Sequence, residues 1–328
     1  MKALVWNSLT ASFTVSKDRT LRRKSKFVIS IKKNEPLAFT ALAHKAGMAC
    51  PACGLHEVAF ESDYPSNVKP FAQAQVLYCA ACGLGFVPDF APTLEQFYKN
   101  DYAATNRKDR DEAPEVYFSD AYRAQNPTIK RYFSRSMRQL RLLRAHGATM
   151  GSVLDFGSGP GYFIHTARPV HRFAFEPDEA SRKYLDWLGV KVIPTLAQIR
   201  PRLHSAIVAS HSIEHLVAEE LQSTLSRLIT ALRAGGRLLV EVPQGGHSYL
   251  HLRGARQDPH TLFFTPEALS RAINRAGGVI LYEGALAKEE IPRRSNPIYQ
   301  PAQDHAFFYA NRGSLVVICK NSTDQVEL

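Results

Sequence analysis

Residues 152–163 read Ser152-Val153-Leu154-Asp155-Phe156-Gly157-Ser158-Gly159-Pro160-Gly161-Tyr162-Phe163. The apolar start reads as a short strand, the glycine-rich middle as a tight turn, and Tyr162-Phe163 as the opening of a helix. Gly157 and Gly159 leave the backbone bare, so a ligand can lie against amide groups at a helix amino terminus. The third glycine discriminates between ligand types: a dinucleotide fingerprint has it three positions after the second, where Tyr162 stands, whereas Gly161 comes one earlier. A second predicted strand, 172–175, ends in Glu176, where a carboxylate can take both hydroxyls of a ribose. Alone, such a turn is equally a plain strand-to-helix connection.

The surrounding pattern supports the nucleotide reading. Further strands are predicted at 190–193, 206–210 and 237–242, with a helix carrying Leu216, Leu221, Leu225, Leu228 and Leu232 on one face between the last two. Gly235-Gly236 precedes the fifth strand. This alternation of strand and helix is that of a doubly wound α/β sheet. Thr265-Pro266-Glu267 then opens a helix that stops at Gly277-Gly278, and strands at 279–282 and 314–320 suit an antiparallel edge pair.

Four of the five cysteines form two pairs, Cys50-Pro51-Ala52-Cys53 and Cys79-Ala80-Ala81-Cys82, with Gly54 and Gly83 directly after them. A two-residue gap lets both thiolates of a pair meet one tetrahedral ion, and two such knuckles close a site. Four protein ligands leave no position for water or substrate, so a zinc ion here is expected to be structural. The alternatives are a redox pair or a site that no longer holds metal. His44 and His56 read as surface residues, and Cys319, in an apolar run, as a core residue.

The chain has 328 residues, 45% of them hydrophobic, enough for one large α/β core plus a smaller module. Its +11 charge is uneven: residues 1–47 carry ten Lys or Arg against Asp18 and Glu35, a local +8, leaving +3 for the remainder. That segment reads as a dispensable extension, a solvated tail, or an arm for nucleic acid or acidic lipid. No apolar run approaches the roughly 18–20 residues that span a bilayer, and Asn7, Ser8 and Thr10 interrupt any signal-peptide core, so a cytoplasmic protein without membrane insertion is expected.

From Cys50 onward the chain resembles bacterial class I methyltransferases that use S-adenosylmethionine (SAM) and begin with a paired-cysteine module. Residues 155–161 resemble motif I of that class. Three further stretches carry the likeness: Cys79-Ala80-Ala81-Cys82-Gly83-Leu84-Gly85-Phe86, Ser210-His211-Ser212-Ile213-Glu214-His215-Leu216, and Asp258-Pro259-His260-Thr261-Leu262-Phe263-Phe264-Thr265-Pro266. The resemblance implies a Rossmann-like, doubly wound seven-stranded sheet. It divides the chain into a basic extension (1–47), a zinc ribbon (48–92), a helical lid or connector (93–150) and a methyltransferase domain (151–328). It also implies a SAM site at Asp155, Gly157, Ser158, Gly159, Gly161, Tyr162, Glu176 and Ser210, and a small-molecule, sugar or glycan acceptor.

Glu214 and His215 follow the fourth strand of that sheet, where strand carboxyl ends and the transferred methyl group should meet. The resemblance places His260 near the acceptor. A hydroxyl or carbon acid needs a base, and imidazole, with an ordinary pKa of about 6.5, suits the task. The candidates are His260, then His247 and His251, then His211 or His215, each of which has an ordinary packing role as its alternative. Tyr98 and Tyr102 suit either a lid or the core.

The chief rival is an RNA methyltransferase, since a predicted helix over 128–144 carries Lys130, Arg131, Arg135, Arg138, Arg141 and Arg144. The same helix has Ile129, Phe133, Met137 and Leu140 at core spacing, which makes its charges a solvated face. A non-catalytic adaptor is a further alternative, because Ser205-Ala206 stand where the family often has an acid, and 194–198 lack a clear acidic or amide residue for adenine.

Overall fold

Ser152–Phe156 forms the central strand β4, and all five of its residues are buried. A strand covered on both faces needs a continuous apolar run rather than alternation, which is what Val153-Leu154 and Phe156 supply. The computed structural model describes residues 48–64, 74–88, 90, 94, 111–243, 260–286, 290–292 and 314–325. The expectations for residues 1–47 (His44 among them), Tyr98, Tyr102, His247 and His251 lie outside these residues.

Strand β4 pairs in parallel with β5 (His171–Phe175) on one side and β7 (His204–Ser210) on the other. Outside β5 lies β6 (Lys191–Val192), and outside β7 lies β8 (Leu232–Pro243), both again parallel. Strand β12 (Ser314–Asn321) runs antiparallel between β8 and β10 (Gly278–Leu286). The order is β11-β10-β12-β8-β7-β4-β5-β6, so the expected seven strands gain an eighth at the edge, β11 (Glu290–Pro292). The chain moves one way from β4 to β5 and β6 and the other way to β7, so the carboxyl ends of β4 and β7 flank a topological switch point.

Helices cover both faces. On one face, α3 (Pro127–Ala145), α4 (Tyr162–Ala167) and α5 (Arg182–Trp187) join a core containing Phe133, Leu143, Phe163, Leu185 and Val208. Ahead of them, α1 (Pro114–Tyr117) and α2 (Asp120–Gln125) bring Tyr117 and Phe118 into that core. On the other face lie α6 (Leu221–Ala231) and α7 (Pro266–Arg275). As expected, the Thr265 hydroxyl caps α7 by accepting from the Ala268 N–H at 3.1 Å. The apolar face of α6 is shorter than its leucine spacing predicts. Leu216 and Val217 are extended before the helix, and Leu232 turns extended to open β8, which therefore already contains Gly235 and Gly236.

The cysteine segment contributes β1 (Val58–Asp63), β2 (Gln75–Cys79) and β3 (Gly85–Phe86), which form an antiparallel sheet. Its fourth strand, β9 (Leu262–Phe263), arrives from far along the chain and pairs with β3. Thr265 Oγ1 donates to the Cys82 carbonyl at 2.6 Å, and Gln222 Nε2 on α6 donates to that of Pro51 at 3.0 Å. No helix among the described residues is long and apolar enough to cross a membrane.

Candidate functional site

At the switch point lies a cavity of about 660 Å³, lined by the glycine turn, the ends of β5 and β7, and one side of α3. Gly157 (φ +72°) and Gly159 (φ +53°) adopt left-handed backbone, which an L side chain resists. A Cβ on Gly157 would stand 2.5 Å from the Ser212 Cβ. Glu176, at the end of β5, accepts from the Gly159 N–H at 2.6 Å and from the Asp178 N–H at 2.8 Å, so its carboxylate is fixed beside the turn. Burial, with the neighbouring Glu176 charge adding to it, pushes the Asp155 carboxyl up to about 8.

Of the residues expected to hold SAM, Asp155, Gly157, Ser158, Gly159, Tyr162, Glu176 and Ser210 line the cavity. Gly161 does not. At φ +91° it begins α4, and a Cβ there would lie 2.8 Å from Leu188 Cδ1, so this glycine serves close packing of the helix. Residues 194–198 do not line the cavity either. Ser205 has a structural task at the opposite end of the strands: its hydroxyl accepts from the Ser152 N–H at 3.0 Å and reaches the Thr149 carbonyl at 2.8 Å, joining β4 to β7.

A buried polar network that the sequence reading did not anticipate closes the α3 side. Glu241 on β8 is 1% exposed; its Oε2 accepts from Gln139 Nε2 at 2.5 Å, and Arg135 Nε and His211 Nε2 lie 3.6 and 3.5 Å from its Oε1. Gln139 Nε2 also approaches Ser210 Oγ at 2.7 Å. Burial opposes ionisation, but His211, Arg135 and Gln139 outweigh it and bring Glu241 down to about 2. His211 itself has left-handed backbone (φ +54°). Burial and Arg135 press its pKa down, yet Glu214 and Glu241 raise it overall. Two signals pointed here: the lone acid in Leu238-Leu239-Val240-Glu241-Val242, and Ser136 and Gln139 buried on the apolar side of α3. Arg135, read from sequence as one charge of a solvated face, lines the cavity instead.

The segment after β7 brings Glu214, His215 and His260 together, with one ligand atom from each lying within 4.8 Å of the others. The imidazoles of His215 and His260 meet edge to face with centroids 4.8 Å apart. His260 is 6% exposed and is held from both sides: Tyr64 Oη donates to its carbonyl at 2.6 Å, and the next N–H, of Thr261, donates to the Glu214 carbonyl at 2.9 Å.

The four cysteines converge as their spacing predicts. The two knuckles share one pattern, Gly54 N–H to the Cys50 carbonyl and Gly83 N–H to the Cys79 carbonyl. The Sγ atoms of Cys50 and Cys82 are 3.6 Å apart, and those of Cys53 and Cys79 3.5 Å. Zinc–sulfur bonds of about 2.3 Å in a tetrahedron require about 3.8 Å, so the set fits one ion. Burial pushes the Cys79 thiol up to about 11, while the hydrogen-bonded neighbour Cys82 brings Cys50 down to about 5. His56 is exposed and Cys319 is buried in β12, as expected.

Residues 128–283 match the protein family described as "Methyltransferase domain". No curated protein matches the chain. Among solved structures, 1,6-didemethyltoxoflavin-N1-methyltransferase of Burkholderia thailandensis is 15% identical, covering 76% of this chain and 96% of its own, with a TM-score of 0.47. A TehB-like SAM-dependent methyltransferase from Corynebacterium glutamicum is 17% identical over 60% of this chain and 100% of its own, with a TM-score of 0.38. A SAM-dependent methyltransferase from Archaeoglobus fulgidus is 16% identical over 68% and 100%, with a TM-score of 0.41. Likeness at this level says nothing about an acceptor. The family match places a methyltransferase domain over residues 128–283, and the strand order of the sheet accords with it.

Proposed function

We propose that the protein transfers a methyl group from SAM to a small-molecule, sugar or glycan acceptor, and that its four cysteines hold a structural zinc ion. The observation that carries this reading is the 660 Å³ cavity at the switch point, where the left-handed glycine turn and the braced Glu176 carboxylate face the same space. The bare backbone at Gly157 and Gly159 accommodates the cofactor, Glu176 is placed for the ribose hydroxyls, and Asp155, protonated at neutral pH, keeps a second negative charge away from Glu176. When bound, SAM supplies a methyl carbon already activated by its sulfonium, so that in-line attack releases a neutral thioether.

The chain's own part is positioning, which can supply about 7–11 kcal/mol, and management of the acceptor's proton. His211 and His215 line the cavity. His215 belongs to the Glu214–His215–His260 group, and we place the acceptor there. Arg135 turned toward Glu241 leaves α3 with a weaker cationic face for phosphates than its sequence offers, which favours a small acceptor over RNA.

Incubating the purified protein with methyl-labelled SAM and fractionated cell extract tests the acceptor class. Label in the small-molecule or glycan fraction is expected. RNase-sensitive label would overturn that assignment.

A further inference from the structure

Glu214 is 1% exposed, and neither of its carboxylate oxygens accepts a hydrogen bond. Burying an ionised carboxylate this way is costly unless a positive charge compensates it. Around it stand His211 Nδ1 at 3.4 Å and His215 Nε2 at 3.9 Å, both from Glu214 Oε1, with His260 completing a group whose ligand atoms lie within 4.8 Å of one another.

We propose that Glu214, His215 and His260 form a divalent-cation site at the acceptor end of the cavity, distinct from the four-cysteine site. Two imidazoles and one carboxylate suit borderline cations such as Zn²⁺, Fe²⁺, Co²⁺ and Mn²⁺, and three protein ligands leave positions open. The fit requires only side-chain adjustment: bonds of about 2.1 Å in a tetrahedron separate ligands by about 3.4 Å, against the 3.9 Å between His215 Nε2 and Glu214 Oε1. His215 is the member that lines the cavity, so the cation sits where a hydroxylated acceptor could reach it. A cation held there would lower the pKa of a bound hydroxyl and so ease loss of its proton to solvent without a free histidine base.

The ligand set is also built rigidly from two distant parts of the chain. The Tyr64 hydroxyl and the Thr261 N–H fix His260, and Thr261 Oγ1 adds a hydrogen bond to the Leu216 carbonyl. The cation site itself stands on these three side chains alone, whereas the role assigned to the acceptor rests on the methyl-transfer reading.

The test is equilibrium dialysis of the zinc-loaded full chain against Co²⁺, read by metal content and by the absorption spectrum. Wild type is expected to keep its zinc and bind one further Co²⁺ per chain without thiolate-to-cobalt charge transfer. Glu214→Gln and His260→Asn should each weaken that cobalt at least tenfold while melting and SAM affinity stay near wild type; if one variant does not fold, the other decides. Absence of the extra Co²⁺, cobalt confined to thiolates, or equal binding by a folded variant would overturn the proposal. Methyl transfer that persists without any cation would leave the enzyme reading intact and overturn only the role assigned to the cation at the acceptor.

Discussion

Gly157→Ala is the substitution whose effect follows most directly from the geometry. The new Cβ would lie 2.5 Å from the Ser212 Cβ, a carbon–carbon distance that forces the turn or the 210–215 segment to move. Overpacking of this kind costs about 1–3 kcal/mol. A left-handed conformation, here φ +72°, costs an alanine roughly a further 1–2 kcal/mol. The total, about 2–5 kcal/mol, corresponds to a melting temperature lowered by about 5–15 °C for a domain of this size. Movement of the turn should also weaken SAM binding at least tenfold. The two contributions can be separated, because Ser212→Gly removes the clashing carbon and its hydroxyl is buried without a hydrogen-bond partner. In the Gly157→Ala/Ser212→Gly pair the clash should disappear and the backbone cost remain, so the double variant melts above the Gly157→Ala single. Calorimetric melting and SAM titration of all four proteins provide the cycle. A Gly157→Ala protein with wild-type melting and SAM affinity, or a double variant that recovers nothing, would refute the reasoning.

Two further predictions concern charge and the cysteine sheet. Asp155 ionises at about 8 when folded against 3.8 as an ordinary side chain, so the folded state binds more protons between these values and stability falls as pH rises through that window. Asp155→Asn has no such loss; from pH 5 to pH 9 wild type should lose about 4 kcal/mol relative to it, and melting curves that stay parallel across pH would contradict this. Cys79→Ser should lower the melting temperature and impair methyl transfer more than SAM binding, because β9 and Thr265 tie the segment carrying His260 to the cysteine sheet, whereas Glu176 and the glycine turn lie on the main sheet. Transfer and SAM affinity falling in parallel would argue against that coupling.

Much of this architecture is written in short, local signals. Glycines between an apolar strand and a helix, a carboxylate ending the next strand, a Thr-Pro helix start and paired cysteines each act through neighbours in sequence. Leu216 and Leu232 misled because helical spacing continues past the points where the backbone turns extended, a choice made by the sheet rather than by the leucines. Strand β9 was hidden because two residues carry no periodicity and its partner β3 lies far away in sequence. The Glu241–Gln139–Arg135 network assembles α3, β7 and β8 across the core, so only the oddity of polar residues in apolar stretches hinted at it. Gly161 had the right spacing and a different task, since spacing alone does not distinguish a glycine that faces a ligand from one that lets a helix approach Leu188.

In the function proposed above, this cavity binds SAM through the glycine turn and Glu176. Titration of the purified protein with SAM, alongside Glu176→Ala, tests it most directly. Hydrogen bonds to a charged group contribute about 1.5–3 kcal/mol each, so one binding site per chain is expected, weakened at least about tenfold by the substitution. Absence of SAM binding, or an affinity that Glu176→Ala leaves unchanged, would contradict the account.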